Sequence, residues 1–316
     1  MPLDAKKYKD SIQGVPDQYV PVSVAGSGAY GTVFYCLPHE TFLASSLPMN
    51  HQALRKQLVA VKVPTNTGWS QASKEVDTYR KIFRHPRIDT VESSLCKIFD
   101  SEDTPVIPDT CSWFSMRAVY PTIALGGLQE QLIATKQRTP VEFVAHLFLQ
   151  IGGLLRFLHN ECNMTHGDLH RQNVLIDVDS AGESGLPHFV LVDFGRVGKF
   201  KGATTKGALD DVRNFCTLFS ELEEVMDIAG LKADEAVKWK EFVHITSGMS
   251  PKAYGPPGET LGLEQVWETF EGLMKTCRNG VGVEVVAKIR EVLRAVVEAE
   301  GEPVSGEDLE KAVAGA

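Results

Sequence analysis

"HGDLHRQNVLIDV", residues 166–178, is the stretch that decides how the rest of the chain is interpreted. It places Asp168, and five positions later Asn173, directly before a run of apolar residues. A carboxylate can accept or orient the proton of an attacking hydroxyl, and an amide oxygen is a suitable ligand for a hard cation such as Mg²⁺. A second carboxylate, Asp193, follows at the end of the apolar run "LVDFG", residues 191–195. The pattern predicts phosphate or metal chemistry on loops at strand ends.

The composition excludes several classes of protein. Of the 316 residues, 43% are hydrophobic and 23% are charged, which is typical of a folded soluble chain. A net charge of -9 argues against a nucleic-acid partner or an anionic membrane partner. The N-terminus lacks the apolar segment of a secretory signal, and the most apolar stretch, residues 143–158, is too short to cross a bilayer comfortably. We therefore expect a protein of the cytoplasm or nucleus.

The six cysteines are scattered through the chain without a Cys-x-x-Cys pair. This spacing fits neither a zinc site nor a small disulfide framework. We expect most of them to be small core residues in a reducing compartment.

The first part of the chain has the pattern of β-strands. "YVPVSVAGSGAYGTVFYC", residues 19–36, predicts a hairpin, and residues 57–63 and 113–120 predict further strands. Residues 37–56 have mixed polarity and are interpreted as an insertion, and residues 100–111 as a loop. One helix is predicted at 70–83, where Ala72, Val76, Tyr79 and Phe83 recur at helical spacing.

After about residue 125 the pattern becomes helical. A long amphipathic helix is predicted at 139–160, opened by a capping box of Thr139 and Glu142 with Pro140 at the first helical position. Two short strands, 173–178 and 188–194, follow it. Further helices are predicted at 208–229, 233–247, 262–276 and 282–299, before a short helix or tail. We therefore predict an α+β fold with an N-terminal extension at 1–18, a β-rich region at 19–116 and a helical region at 117–316.

Three further elements carry chemistry only in combination. The loop "GSGAYGTV", residues 26–33, can bring backbone N–H groups close to an anion, but alone it fits a plain hairpin turn equally well. The strand continues after it, which disfavours a dinucleotide-binding fold. Lys62 on a strand and Glu75 on the next helix would each be surface residues by default; as a pair they would aim an ammonium at phosphate oxygens.

The order of these elements resembles that of the eukaryotic protein kinase family. The matching stretches are "GSGAYGTV", "AVKV", "EVDTYRKIFRHPRI", "LLRFLHNECNMTHGDLHRQNVLI", "LVDFG" and "DVRNF", within roughly residues 19–216. The resemblance implies a two-lobed fold, with a small antiparallel β lobe carrying one main helix and a larger helical lobe. It implies ATP and Mg²⁺ as cofactors and a protein Ser/Thr hydroxyl as acceptor.

The resemblance also implies roles for individual residues. Asp168 would be the catalytic base, assisted by His170, and Asn173 and Asp193 would hold Mg²⁺. Lys62 would contact the α- and β-phosphates and pair with Glu75. Nucleotide contacts would come from Gly26, Ser27, Gly28, Ala29, Tyr30, Gly31, Val33, Ala60, Lys62, Met116, Arg117 and Val119, the last three lining the adenine-binding hinge. Tyr79, His166 and Phe194 would stack as an internal spine anchored by Asp211.

Three departures from the family pattern keep alternatives open. Gly167 stands where the family has Arg, which predicts independence from a phosphorylated activation segment. His170 stands where the family has Lys, with Arg171 as a possible substitute. Only 15 residues, 196–210, separate Gly195 from Asp211; no Ala-Pro-Glu motif appears, and the segment carries Arg196, Lys199, Lys201 and Lys206.

The basic segment is either a solvated loop or a contact for an acidic or phosphorylated acceptor. "HGDLH" and the missing peptide platform suggest, as an alternative, a small-molecule phosphotransferase of the aminoglycoside or choline kinase type acting on a small hydroxylated molecule. A second alternative is a pseudokinase that binds ATP or serves as a scaffold without turnover.

Overall fold

The fold is α+β, with an antiparallel sheet near the N-terminus and a larger, mostly helical part. The computed structural model of the chain describes residues 12–43, 50–102, 107–182, 184–229, 231–249, 261–301 and 303–315. Contacts divide the chain into two compact units. The first unit comprises residues 1–84, 96–120 and 301–316, and the second comprises residues 85–95 and 121–300.

The first unit is built on a five-stranded antiparallel sheet. Its strands are β1 (Tyr19–Gly28), β2 (Gly31–Pro38), β3 (Val59–Pro64), β4 (Ile98–Ser101) and β5 (Phe114–Arg117), in the order β1-β2-β3-β5-β4. The predicted hairpin and the two later strands are confirmed. Strand β4 was not predicted, because its four residues lack a clear alternation and run into the segment interpreted as a loop.

Short helices and one long helix accompany this sheet. They are α1 (His39–Leu43), α2 (His51–Arg55) and α3 (Trp69–Phe83). Helix α3 buries Ala72, Val76 and Tyr79 of the predicted apolar face, while Phe83 is only half-buried. The predicted insertion therefore contains α1 and α2, while its residues 44–49 lie outside the described part.

The C-terminal segment contributes to the core of the first unit. Helix α10 (Gly306–Gly315) contacts β1, and Val304 and Leu309 are fully buried beside Tyr35 and Leu37. Residues 301–316 thus belong to the first unit, whereas the sequence pattern placed the helical region at 117–316. The pattern could not assign them because an apolar helix face does not identify the surface that it covers.

Part of the predicted N-terminal extension packs against a separate hydrophobic cluster of the first unit. Ile12 and Val15 pack against a cluster that includes Phe34 and Val61. The first eleven residues of the extension lie outside the described part.

The second unit consists mainly of helices. They are α4 (Leu125–Thr135), α5 (Val141–Asn160), α6 (Lys206–Leu222), α7 (Ala233–Met249), α8 (Leu263–Asn279) and α9 (Val283–Glu300). Its strands are β6 (Thr122–Ala124), β7 (Thr139–Pro140), β8 (Met164–Thr165), β9 (Val174–Asp177), β10 (His188–Leu191), β11 (Gly198–Lys199) and β12 (Met226–Asp227). Three of these form a small sheet in the order β10-β9-β6, and β11 pairs with β8.

Helix α5 is the centre of the second unit. The ring of Phe148 lies 5.4 Å from those of Phe215 and Trp267, and 5.8 and 5.7 Å from those of Phe219 and Phe242. Within the described part of the chain, α5 is long and apolar enough to cross a membrane, but 78% of its apolar window is buried. Burial in the protein, rather than insufficient length, identifies it as a core helix.

The predicted capping box of α5 is wrong. The helix begins at Val141 with Pro140 in the N-cap position and no side-chain capping hydrogen bond. Thr139 and Pro140 instead form β7, which pairs in parallel with β12. This pairing holds Thr139 in extended conformation, outside the helix that it was predicted to cap.

The six cysteines are free thiols, and five of them are buried. Their predicted role as small core residues is therefore confirmed for all except Cys162, which is partly exposed.

Candidate functional site

The glycine-rich stretch forms the tight turn of the β1–β2 hairpin. Gly28 pairs with Gly31 across the turn, and residues 25–30 are exposed. A Cβ atom at Gly31 would lie 2.6 Å from the carbonyl oxygen of Val63, so packing against β3 requires glycine there. A Cβ at Gly26 or Gly28 would meet nothing within 4 Å. Packing therefore does not explain these two glycines, which leave open space over the backbone of the turn.

Lys62 and Glu75 form the predicted ion pair. The Lys62 Nζ donates to Glu75 Oε2 at 2.6 Å, and the two side chains are 13% and 2% exposed. The ammonium also lies 5.7 Å from the centre of the Phe114 ring, its cross-strand neighbour. Moving the ammonium away would leave the buried Glu75 carboxylate unpaired, and an unpaired buried charge costs about 3–5 kcal/mol. The pair therefore holds the ammonium in a fixed place.

The predicted hinge residues lie at the end of β5 and just beyond it. Met116 pairs with Ala60 on β3, and both are buried. The Arg117 N–H donates to the Lys97 carbonyl at 2.8 Å, and the Val119 carbonyl accepts from the Tyr35 hydroxyl at 2.9 Å. An adenine ring bound at this segment would thus have to form hydrogen bonds with other backbone groups.

Asp211 organises the loop that carries Asp168. Its Oδ2 accepts hydrogen bonds from the His166 backbone N–H at 2.7 Å and from His159 Nε2 at 2.9 Å, and its Oδ1 accepts from the Gly167 N–H at 2.8 Å. The Asp211 side chain is fully buried. The predicted anchoring role of Asp211 is therefore present in the structure.

His166 links the two loops of the candidate site as a neutral ring. Its Nε2 donates to the Val192 carbonyl at 3.2 Å, and its Nδ1 accepts from the Asp168 N–H at 3.3 Å. Burial lowers the pKa of His166, which favours the neutral ring that this pattern needs. The ring meets Phe194 edge to face, with centroids 4.8 Å apart, as predicted for the spine; Tyr79 stacks on Phe83 in the first unit.

The carboxylate of Asp168 is paired with Arg196. The Arg196 Nη1 donates to Asp168 Oδ1 at 3.1 Å. Arg196 is about half exposed, so this pair contributes little to folding, of the order of 0.2–1 kcal/mol. Its main effect is to orient the carboxylate.

The backbone explains why Gly167 stands before Asp168. Gly167 has a φ of +77°, a conformation that favours glycine, and a Cβ there would lie 2.4 Å from the Arg196 carbonyl oxygen. The segment after Asp-Phe-Gly therefore passes directly over the position where the kinase family has arginine. A side chain at 167 and the observed path of Arg196 exclude each other.

Asn173 and Asp193 offer oxygen ligands on adjoining segments. The Asn173 Nδ2 donates to the Asp168 carbonyl at 2.9 Å, so Oδ1 is the atom of this amide that could bind a cation. The Val192 N–H donates to the Asn173 carbonyl at 3.0 Å, so the residue next to Asp193 is tied to Asn173. Asp193 has a φ of 64°, in the left-handed region that is uncommon outside glycine and recurs at functional sites.

These two ligands fit a magnesium ion that also binds phosphate oxygens. Mg²⁺ usually takes one or two carboxylates or neutral oxygens from the protein and completes its shell with phosphates and water. Within the described ranges, no group of three or more His, Cys, Asp or Glu side chains is placed to hold a metal by itself. The donor set therefore suits Mg²⁺ delivered with a nucleotide better than a structural metal.

The neighbours of Asp168 have other partners than the sequence suggested. His170 is exposed, and its Nδ1 accepts from the Gln172 N–H at 3.2 Å. Arg171 donates to Gln129 Oε1 at 2.5 Å and pairs with Glu130 at 3.3 Å. Arg171 is thus held by α4, and its role as a substitute for the lysine of the family stays a prediction.

Sequence reasoning missed two contacts of the candidate site. Arg196 was assigned only to the basic segment, although its position directly after Asp-Phe-Gly could have suggested a partner for a loop carboxylate. His159, which shares Asp211 with the loop, carries no distinguishing signal at the end of an apolar helix.

Neither family models nor curated proteins give a match to this chain.

Proposed function

We propose that this chain is an ATP- and Mg²⁺-dependent phosphotransferase with a two-lobed protein kinase-like fold, whose acceptor is a protein Ser/Thr hydroxyl. The observation that carries the proposal is the ion pair of Lys62 and Glu75, whose charged atoms lie 2.6 Å apart although the residues are 13 positions apart in sequence. The residue types and spacing of the loops bearing Asp168, Asn173 and Asp193 support the same chemistry. Localisation in the cytoplasm or nucleus belongs to this proposal.

In the proposed reaction, the first unit holds the phosphates of ATP. The open space at Gly26 and Gly28 lets backbone N–H groups of the turn approach phosphate oxygens. Lys62, kept in place by Glu75, supplies a positive charge to the α- and β-phosphates. The adenine ring is assigned to the segment that contains Met116.

The second unit supplies the groups that act at the γ-phosphate. Asn173 Oδ1 and the Asp193 carboxylate would hold Mg²⁺, which neutralises charge on the phosphates when it is bound. Asp168 orients the acceptor hydroxyl and takes its proton as the oxygen bonds to phosphorus and the bond to ADP breaks. Arg196, paired with Asp168, orients this carboxylate.

A small hydroxylated acceptor is the second candidate, and one observation favours it. Only residues 197–205 lie between the turn Phe194–Arg196 and the start of α6, and two of them are used in β11. This leaves little chain for a peptide platform. The exposed lysines Lys199, Lys201 and Lys206 on the same segment instead suit an acidic or phosphorylated acceptor.

Labelled ATP tests the proposed activity directly. We expect label from γ-labelled ATP with Mg²⁺ to appear on generic protein acceptors or on the chain itself. Transfer only to small hydroxylated metabolites would replace the protein acceptor by the second candidate. Thermal stabilisation by ATP without any transfer would indicate the binding or scaffold alternative. If ATP gives no transfer and no stabilisation, the proposal is refuted.

The Gly167 geometry predicts an enzyme that does not need a phosphorylated activation segment. We expect the double substitution Thr204→Ala and Thr205→Ala to change the transfer rate by less than about threefold, because no arginine at 167 is available to pair with a phosphate there. Rates measured before and after phosphatase treatment provide the control. A loss of tenfold or more, matched by phosphatase treatment of the unchanged chain, would contradict this expectation.

A further inference from the structure

Two stretches of the first unit have no role in the proposed phosphotransfer, and the fold brings them together. One is helix α2, which lies in the insertion at 37–56, and the other is the C-terminal segment at 301–316, which contains α10. Helix α10 contacts α2 as well as β1. Both stretches pack beside residues 116–120, the segment to which the adenine ring is assigned and which we call the adenine segment.

An apolar cluster joins these three stretches. Two side chains of the adenine segment, Ala118 and Tyr120, pack against it. Because a protein interior is close-packed, the loss of one buried side chain from such a cluster is felt by its neighbours. The buried members of the cluster are Tyr35, Leu37, Leu54, Leu58, Val304 and Leu309.

The carbonyl of Val304 ties the C-terminal segment to both of the other stretches. It accepts a hydrogen bond from the Tyr120 hydroxyl at 3.3 Å and another from Arg55 Nη2 at 3.1 Å. Val304 is fully buried, and a buried carbonyl that loses its donors is costly to leave unsatisfied. The side chain of Tyr120 is therefore held by the C-terminal segment.

Tyr35 carries the restraint to the backbone of the adenine segment. Its ring meets that of Tyr120 edge to face, with centroids 5.5 Å apart, and its hydroxyl donates to the Val119 carbonyl at 2.9 Å. Tyr35 is buried in the same cluster as Val304 and Leu309. The position of the Val119 carbonyl thus depends on packing that the C-terminal segment completes.

Helix α10 begins at a defined position. The Ser305 Oγ accepts from the Asp308 N–H at 3.1 Å, and the Asp308 Oδ2 accepts from the Ser305 N–H at 3.0 Å. This reciprocal pair caps the helix start. Because the cap lies between Val304 and Leu309 in sequence, it fixes the spacing at which these two side chains enter the cluster.

We propose that the C-terminal segment and α2 form a brace that holds the adenine segment, with Val304 and Leu309 as positioning residues that set the affinity for ATP. This inference rests on the proposed binding of ATP. The brace contacts the adenine segment at the Tyr120 side chain and at the Val119 carbonyl, so it restrains the backbone rather than merely covering it. A protein that holds its binding conformation in only a fraction of molecules binds more weakly by that fraction.

The variant Leu309→Ala tests the brace, because it shortens a fully buried side chain outside the adenine segment. If the binding conformation falls to about one molecule in ten, the Kd for ATP rises about tenfold. We expect calorimetric titration with ATP and Mg²⁺ to show this rise. The KM for ATP should rise with it while kcat changes little, since the groups proposed to act at the γ-phosphate are unchanged.

Two variants of the same helix are the controls. Leu309→Met keeps the volume of the side chain and should bind ATP within about twofold of the unchanged protein. Lys311 is 69% exposed and pairs with Glu307 at 2.7 Å, so Lys311→Ala should leave the Kd unchanged. If Leu309→Ala does not fold, Tyr120→Phe removes only the hydroxyl that reaches Val304 and should raise the Kd about two- to threefold.

Hydrogen exchange without ATP separates positioning from general stability. In Leu309→Ala, the amides of residues 118–120 should exchange faster, while those of α3, which lies outside the cluster, should change much less. Equal acceleration at both places would mean that Leu309 serves only the stability of the first unit, and would overturn the proposal. An unchanged Kd for ATP in folded Leu309→Ala would overturn it as well. Absence of ATP binding by the unchanged protein is a distinguishable result that would refute the proposed function, and this inference with it.

Discussion

Replacing Asp168 with asparagine is expected to reduce phosphate transfer by about 10²- to 10⁴-fold, the usual contribution of a general base. Asparagine keeps the size of the side chain but cannot take a proton from the acceptor hydroxyl. The residues proposed to bind ATP are unchanged, so thermal stabilisation by ATP should persist. Transfer is measured with γ-labelled ATP and Mg²⁺ on whichever acceptor the unchanged protein modifies.

The ion pair with Arg196 requires a matched control for this experiment. Asp168→Asn removes the negative charge that Arg196 contacts at 3.1 Å, as well as removing the base. Arg196→Gln breaks the same contact but keeps the carboxylate, so it should retain far more activity than Asp168→Asn. Asp179→Asn, on the exposed turn after β9, should have no effect. Equal losses in Asp168→Asn and Arg196→Gln would mean that the pair, rather than the base, is what transfer needs.

Local signals in the sequence predicted the single helices and strands of this fold better than they predicted which elements pack against each other. The hairpin around residues 26–31 was predictable because a glycine-rich turn lies between two β-branched runs. The buried face of α5 was predictable because apolar residues recur at helical spacing. The assignment of residues 301–316 to the first unit was not, since it depends on which surface buries Val304 and Leu309. Periodicity indicates that a face is buried and leaves its partner undefined.

The candidate site shows the same limit at the scale of single side chains. The resemblance to the kinase family implied that Lys62 and Glu75 would pair and that Asp211 would anchor the spine that includes His166, and both contacts are present. It could not predict that Gly167 is required by the path of Arg196, because the clash involves a carbonyl oxygen 29 positions later.

The anchoring role of Asp211 leads to the largest expected loss of stability. Asp211→Ala leaves three donors without their acceptor: the backbone N–H groups of His166 and Gly167, and Nε2 of His159. Each buried unsatisfied donor costs about 1–3 kcal/mol, and partial relaxation or entry of water reduces the sum, so we expect a loss of about 3–5 kcal/mol in the free energy of unfolding. Denaturant unfolding followed by tryptophan fluorescence, to which Trp239 and Trp267 of the second unit contribute, measures it.

The adjacent residue provides the matched control. Asp210 is 40% exposed and pairs with Arg213 at 3.6 Å, so Asp210→Ala should cost less than about 1 kcal/mol. Asp211→Asn should recover only part of the loss, because its amide group turns a donor toward one of the three donors. Amide exchange at His166 and Gly167 should accelerate in Asp211→Ala, which links the loss to this loop. If Asp210→Ala and Asp211→Ala are equally stable, the buried carboxylate does not hold the loop that carries Asp168.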